Sequence, residues 1–104
     1  MIEDIFAHAE SAAPGECCGL VIQDENGEKY IPSENLQEDN SQFKIDPQLF
    51  IYHQLKSKIK YVVHSHYDSK CNPSQHDIDN CNSIGIPYLI VSYPEKDYCI
   101  VEPK

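Results

Sequence analysis

Residues 59–77 read IKYVVHSHYDSKCNPSQHD. The first eight positions are rich in β-branched and aromatic residues, which predicts a central strand that ends near His64 and His66. YDSKCNP follows as a loop, and Ser74 then opens SQHDIDNCNSIG, a short helix closed by Gly85. A strand that delivers two histidines to its end, a loop, and a helix capped by serine form the unit around which the rest of the chain is read.

Upstream, Ile2, Ile5, Phe6, Ala9 and Ala13 recur at helical spacing until Pro14-Gly15 stops the element. CCGLVIQD and EKYIPSEN flank the turn ENG and read as an antiparallel hairpin. LQEDNSQ is polar and reads as a surface loop. Asp46-Pro47 is an N-cap followed by proline at the first helical position, so a helix is expected from about Pro47 to Ser57. Downstream, PYLIVSY and DYCIVEP across Pro94-Glu95-Lys96 predict two more strands. The order is α-β-β-α-β-α-β-β. The fold class is therefore α/β, and the hairpin-length connections make the sheet mixed.

With 104 residues the chain fits one domain, residues 1–104, built around one core. The 17 acidic against 8 basic side chains give a net charge of −9 with no Lys/Arg cluster, which argues against a nucleic-acid partner. No apolar run approaches the roughly 20 residues of a bilayer span, and the acidic amphipathic start is unlike a signal peptide, so the expectation is a cytoplasmic protein with no membrane partner. Five cysteines without a C-x-x-C pair are expected to be small buried hydrophobes. For Cys71, inside the opening stretch, the minor alternative is approach to a metal as an inhibitory or redox-sensitive fourth ligand.

His64 and His66 are two apart on a strand, so both imidazoles share one side of the backbone. Asp77 lies eleven residues later in the first turn of a helix. Two histidines and a carboxylate with a fourth position open to water are a usual ligand set of catalytic zinc. Ser74-Gln75-His76-Asp77 is also a capping box, which by itself accounts for Ser74 and Asp77, and an H-x-H pair occurs by coincidence. Metal-assisted amide hydrolysis further needs a base outside the ligand set, and Glu16, at the entry of the first strand ahead of the small, apolar CCGL, is the candidate. Its plain alternative is an exposed acid in a turn.

Glu16 in ECCGL, His64-Ser65-His66, and Pro73 to Asp77 resemble the E-x-C-G segment and the H-x-H-x(7)-S-x-x-D signature of the JAMM or MPN+ zinc metallopeptidase family. EKYIPSEN, FKIDPQLF and YVVHSH resemble its compact bacterial and phage members, so the likeness covers nearly the whole chain. The resemblance implies a cytidine-deaminase-like αβα layered fold with one zinc ion at the end of the central strand. It also implies His64, His66 and Asp77 as zinc ligands, Glu16 as general acid/base, and Ser74 as donor to the oxyanion. Asn35 is implied to support a loop near the site. Tyr67 departs from the proline common after the second histidine, leaving that loop less stiff.

The implied activity is hydrolysis of a peptide or isopeptide bond in a protein or peptide substrate. Phage or prophage tail components are favoured, because the short loops carry no insertion for gripping ubiquitin. The alternatives are a peptidase processing a ubiquitin-like sulfur-carrier protein and a non-catalytic zinc-binding assembly scaffold. A nucleobase deaminase is excluded, since neither H-x-E nor P-C-x-x-C is present. His8, His53 and His76 are expected to be packing or surface residues.

Overall fold

A computed structural model describes residues 1–36 and 45–104. Its elements run α1 (Ile2–Ala12), β1 (Cys18–Asp24), β2 (Gly27–Ser33), α2 (Pro47–Lys56), β3 (Lys58–Tyr67), α3 (Gln75–Ile84), β4 (Tyr88–Tyr93) and β5 (Asp97–Val101). The five strands form one mixed sheet in the order β2-β1-β3-β4-β5. β3 is its centre, antiparallel to β1 and parallel to β4, while β1/β2 and β4/β5 are antiparallel hairpins. The expected element order, the mixed sheet and the central place of the opening strand are all present. The reading of LQEDNSQ as a loop falls, for residues 37–42, outside the described residues.

The two-residue period of the strands divides the core between the faces of the sheet. Val21, Val63, Leu89 and Val91 point to the face covered by α1, where they meet Ile5 and Ala9, one helical turn apart. Leu20, Ile22, Val62, Tyr88 and Ile90 point to the other face, where Cys81 of α3 and the partly buried Phe50 of α2 pack. Helices on both sides of the sheet make three layers. His64 and His66 share their parity with Val62, so both belong to the face that carries α3. Ser65 shares its parity with Val63 and faces the α1 side.

Local chemistry sets the boundaries. Asp46 accepts from the Gln48 backbone N–H at 3.0 Å ahead of Pro47, which starts α2 where the sequence predicts. The helix ends at Lys56, one residue short of the expected Ser57, whose backbone is extended. Gly85 closes α3 at φ 75°, a left-handed conformation that costs glycine little. Gly19 is required for a different reason: a Cβ there would lie 2.5 Å from the Ile31 carbonyl oxygen and 2.6 Å from the Tyr30 ring. Small residues at the start of β1 thus let its neighbours close in. Among the described residues no helix is long and apolar enough to cross a membrane.

The cysteines correct the sequence reading. Cys17, Cys18 and Cys81 are buried thiols, as expected. Cys71 and Cys99 are instead joined in a disulfide across 28 positions. Cys71 is therefore no free thiolate for a metal. The pairing was hidden because it depends on where β5 returns beside the β3–α3 loop, and no local spacing reports that.

Candidate metal centre

The carboxyl end of a parallel strand at the middle of an α/β sheet is where side chains from different elements converge on a ligand. Here β3 brings His64 and His66 to that end, and α3, starting after the loop, brings Asp77. His64 is fully buried, with its ring edge-on to Tyr88 at a centroid distance of 5.8 Å. Asp77 is nearly as buried, and His66 is on the more open side.

The two Nε2 atoms are 3.2 Å apart, His64 Nε2 is 3.2 Å from Asp77 Oδ1, and His66 Nε2 is 3.2 Å from Asp77 Oδ2. Ligand atoms bound tetrahedrally at zinc distances of 2.0–2.1 Å are themselves about 3.3–3.4 Å apart, so the cluster has the size of a zinc coordination shell. His66 Nδ1 lies 2.9 Å from the Lys70 carbonyl oxygen. A carbonyl only accepts, so the Nδ1 proton donates to it, and a neutral His66 turns the lone pair of Nε2 toward the carboxylate. Acceptor then faces acceptor. A proton on Nε2 or a cation between the groups relieves that conflict, and the donor set suits a divalent transition metal such as zinc.

The electrostatics follow from the same contacts. The hydrogen bond to Asp77 holds the His66 pKa above its ordinary value, with Glu16 adding a smaller push in the same direction. Burial lowers that of His64. For Asp77, burial pushes upward, but hydrogen bonds from His64 and His66 prevail and keep the carboxyl well below the usual carboxylate range.

Ser74 and Asp77 form a complete capping box. Ser74 Oγ accepts from the Asp77 N–H at 3.1 Å, and Asp77 Oδ2 accepts from the Ser74 N–H at 2.9 Å. The cap and the cluster therefore coexist, because a carboxylate has acceptor sites enough for both. Ser74 Oγ uses a lone pair in the cap, which leaves its hydroxyl proton to donate elsewhere.

Glu16, two residues before β1, is half-buried and stands outside the three-residue cluster, close enough for its charge to act on His66. The peptide bond that follows it is held at both of its polar groups. The Asn35 side chain donates to the Glu16 carbonyl at 2.9 Å, and the following N–H, of Cys17, donates to Ser65 Oγ at 2.8 Å. The Ser65 N–H in turn donates to the Cys17 carbonyl at 3.0 Å. Asn35 is thus a support near the site, as the resemblance implies, whereas the part played by Ser65 is not among the sequence expectations. Its odd parity in the H-x-H strand was the available signal.

His76 leans on Asn80 at 3.1 Å on the exposed side of α3, and His8 bonds Tyr30 at 2.7 Å on the α1 side. Neither joins the cluster. The surfaces offer a second feature, an apolar recess of about 380 Å³ between α2 and α3 that includes Phe50, Ile84 and Tyr88.

A family model of prokaryotic homologs of the JAB domain matches residues 1–100. Tail tip assembly protein K of Escherichia phage N15 is 36% identical over 104 residues, 99% of this chain. The chain spans 43% of that protein's length. A solution structure of a Desulfitobacterium hafniense protein is similar at TM-score 0.74 and 28% identity, over 95% of this chain and 75% of that one. A JAB1/MPN domain protein from Archaeoglobus fulgidus is similar in fold at TM-score 0.69 and 22% identity, over 97% and 82%. A structure described as a JAMM metalloprotease-like zinc site in the proteasome and signalosome matches at TM-score 0.60 and 25% identity, over 99% and 82%.

Proposed function

Since the chain belongs to the family of prokaryotic homologs of the JAB domain, we propose that it is a zinc-dependent metallopeptidase domain in which His64, His66 and Asp77 hold the metal. The observation that carries this reading is the mutual 3.2 Å spacing of two imidazole nitrogens and one carboxylate. A zinc ion held there would polarise a scissile carbonyl and lower the pKa of a bound water to roughly 7.

The protein's own groups do the rest. Glu16 takes a proton from the attacking water and passes it to the leaving amine, so the bond breaks with a neutral leaving group. Asn35 and Ser65 keep its backbone from drifting while it does so. The Ser74 hydroxyl donates to the carbonyl oxygen as that atom gains negative charge, a contribution of a few kcal/mol when the donor is already in place. Because Ser74 accepts in the cap and donates to the substrate, the two roles use different parts of one hydroxyl.

The substrate class is a peptide or isopeptide bond in a protein. The likeness to a tail tip assembly protein favours structural components of a phage or prophage tail, met in the host cytoplasm. The test is Glu16→Gln beside wild type, each loaded with zinc and offered tail proteins and a peptide library. The variant should keep full zinc content and lose cleavage by roughly 10²-fold or more. Equal cleavage by both proteins would refute the assignment of Glu16. An unreactive wild type that still binds one zinc would favour a zinc-binding assembly scaffold.

A further inference from the structure

The loop between His66 and Ser74 is tethered at three points. The Asp68 N–H donates to the Tyr93 carbonyl at 2.7 Å, the Lys70 carbonyl accepts from His66 Nδ1 at 2.9 Å, and Cys71 is bonded to Cys99 of β5. Residues 67–70 are otherwise exposed, so little packing restrains the Lys70 carbonyl. One residue further on, Cys71 is anchored both by its burial in the core and by the covalent bond to Cys99, and that anchor restrains where the carbonyl points. Both cysteines border an open cleft of about 600 Å³ shared with Lys70, Ser92 and Lys96, and of the two Cys99, half-buried, is more exposed than Cys71 at 3%. The disulfide can thus be reached from its Cys99 side.

We infer that the Cys71–Cys99 disulfide is a reducible positioning bond for the metal site: intact, it holds the Lys70 carbonyl on His66 Nδ1, and its reduction by a dithiol protein weakens metal binding. This rests on the metal-site reading above. In the reaction a thiolate of the dithiol attacks Cys99 Sγ. The bond to Cys71 breaks, and its electron pair leaves on Cys71 Sγ, which takes up a proton. The second thiol of the reductant then attacks its own mixed-disulfide sulfur. Cys99 Sγ leaves and is protonated, so two electrons and two protons end on the cysteine pair and the reductant departs as a disulfide. Without a fixed acceptor on Nδ1, the His66 ring no longer has one tautomer and one orientation. Loss of such an outer partner lowers metal affinity by about 10–100-fold.

The experiment measures zinc affinity of the full chain, by competition with a chromogenic chelator, for oxidised wild type and the Cys71→Ala/Cys99→Ala double variant. The double variant should bind ten-fold or more weakly, and its metal-free His66 should lose the Nδ1–H tautomer in nitrogen NMR. Equal affinities with an unchanged tautomer would overturn the inference. If the double variant does not fold, wild type reduced with a phosphine and desalted takes its place. It should bind ten-fold or more weakly until reoxidised, and undiminished affinity in that form also refutes the inference. Failure of oxidised wild type to bind zinc at all would instead overturn the metal-site reading on which it stands.

Discussion

Asp77 serves two purposes that substitution can separate. As the third residue of α3 it closes a capping box with Ser74, and as a buried carboxylate it faces His64 and His66. Asp77→Asn keeps an acceptor for the Ser74 N–H but removes the charge, whereas Ser74→Ala removes the cap hydroxyl and leaves the carboxylate in place. Loss of a serine cap costs about 1 kcal/mol. For 104 residues the unfolding entropy near the midpoint is about 0.22 kcal/mol/K, so metal-free Ser74→Ala should melt about 4–5 °C below wild type. Zinc at 100 times its Kd adds about 2.7 kcal/mol. The same entropy turns that into a rise of about 12 °C, which wild type and Ser74→Ala should both show. Asp77→Asn should show almost no rise at that concentration, its affinity having fallen by more than the roughly 10–100-fold typical of losing an outer partner. Thermal unfolding followed by circular dichroism, with and without zinc, measures all three proteins. A zinc-induced rise in Asp77→Asn equal to that of wild type would refute the argument, as would its absence in Ser74→Ala.

Gly19→Ala should destabilise the fold by about 1–3 kcal/mol, since the added Cβ meets the Ile31 carbonyl and Tyr30. An unchanged urea midpoint would contradict that. Asn35→Ala removes the bond to the Glu16 carbonyl and should reduce turnover while leaving zinc stoichiometry unchanged, readable by metal analysis beside the cleavage assay. In the metal-free chain the folded pKa of Asp77 lies below its unfolded value. Its contribution to stability is therefore full above about pH 4 and is lost as the pH falls through the folded pKa. Asp77→Asn should give a flatter stability profile than wild type below about pH 4, and parallel profiles would exclude the contribution.

The elements were legible because each is announced within a few residues. Asp46-Pro47 starts α2, Ser74 and Asp77 start α3, Gly85 ends it, and Asn26-Gly27 turns the first hairpin. The two-residue spacing of His64 and His66 by itself puts both rings on one side of a strand. Ser65 was legible by the same rule and was missed only because a serine between two histidines has no chemistry of its own to advertise. The pairing of Cys71 was not legible, because spacing reports no partner 28 residues away on another strand.

By itself, then, the sequence determined the order of helices and strands, the caps that bound them, and the shared face of the two histidines. All of these follow from backbone preferences and side-chain periodicity over a turn or two. Only the tertiary structure decided that β3 lies between β1 and β4, that Cys17 next to Glu16 meets Ser65 across 48 positions, and that Cys99 meets Cys71. It also decided that Asp77 comes within 3.2 Å of both imidazoles without giving up its cap. The reason is that such meetings are set by strand register and by the packing of helices on the sheet. Those depend on the burial of all the apolar residues together, not on any short stretch.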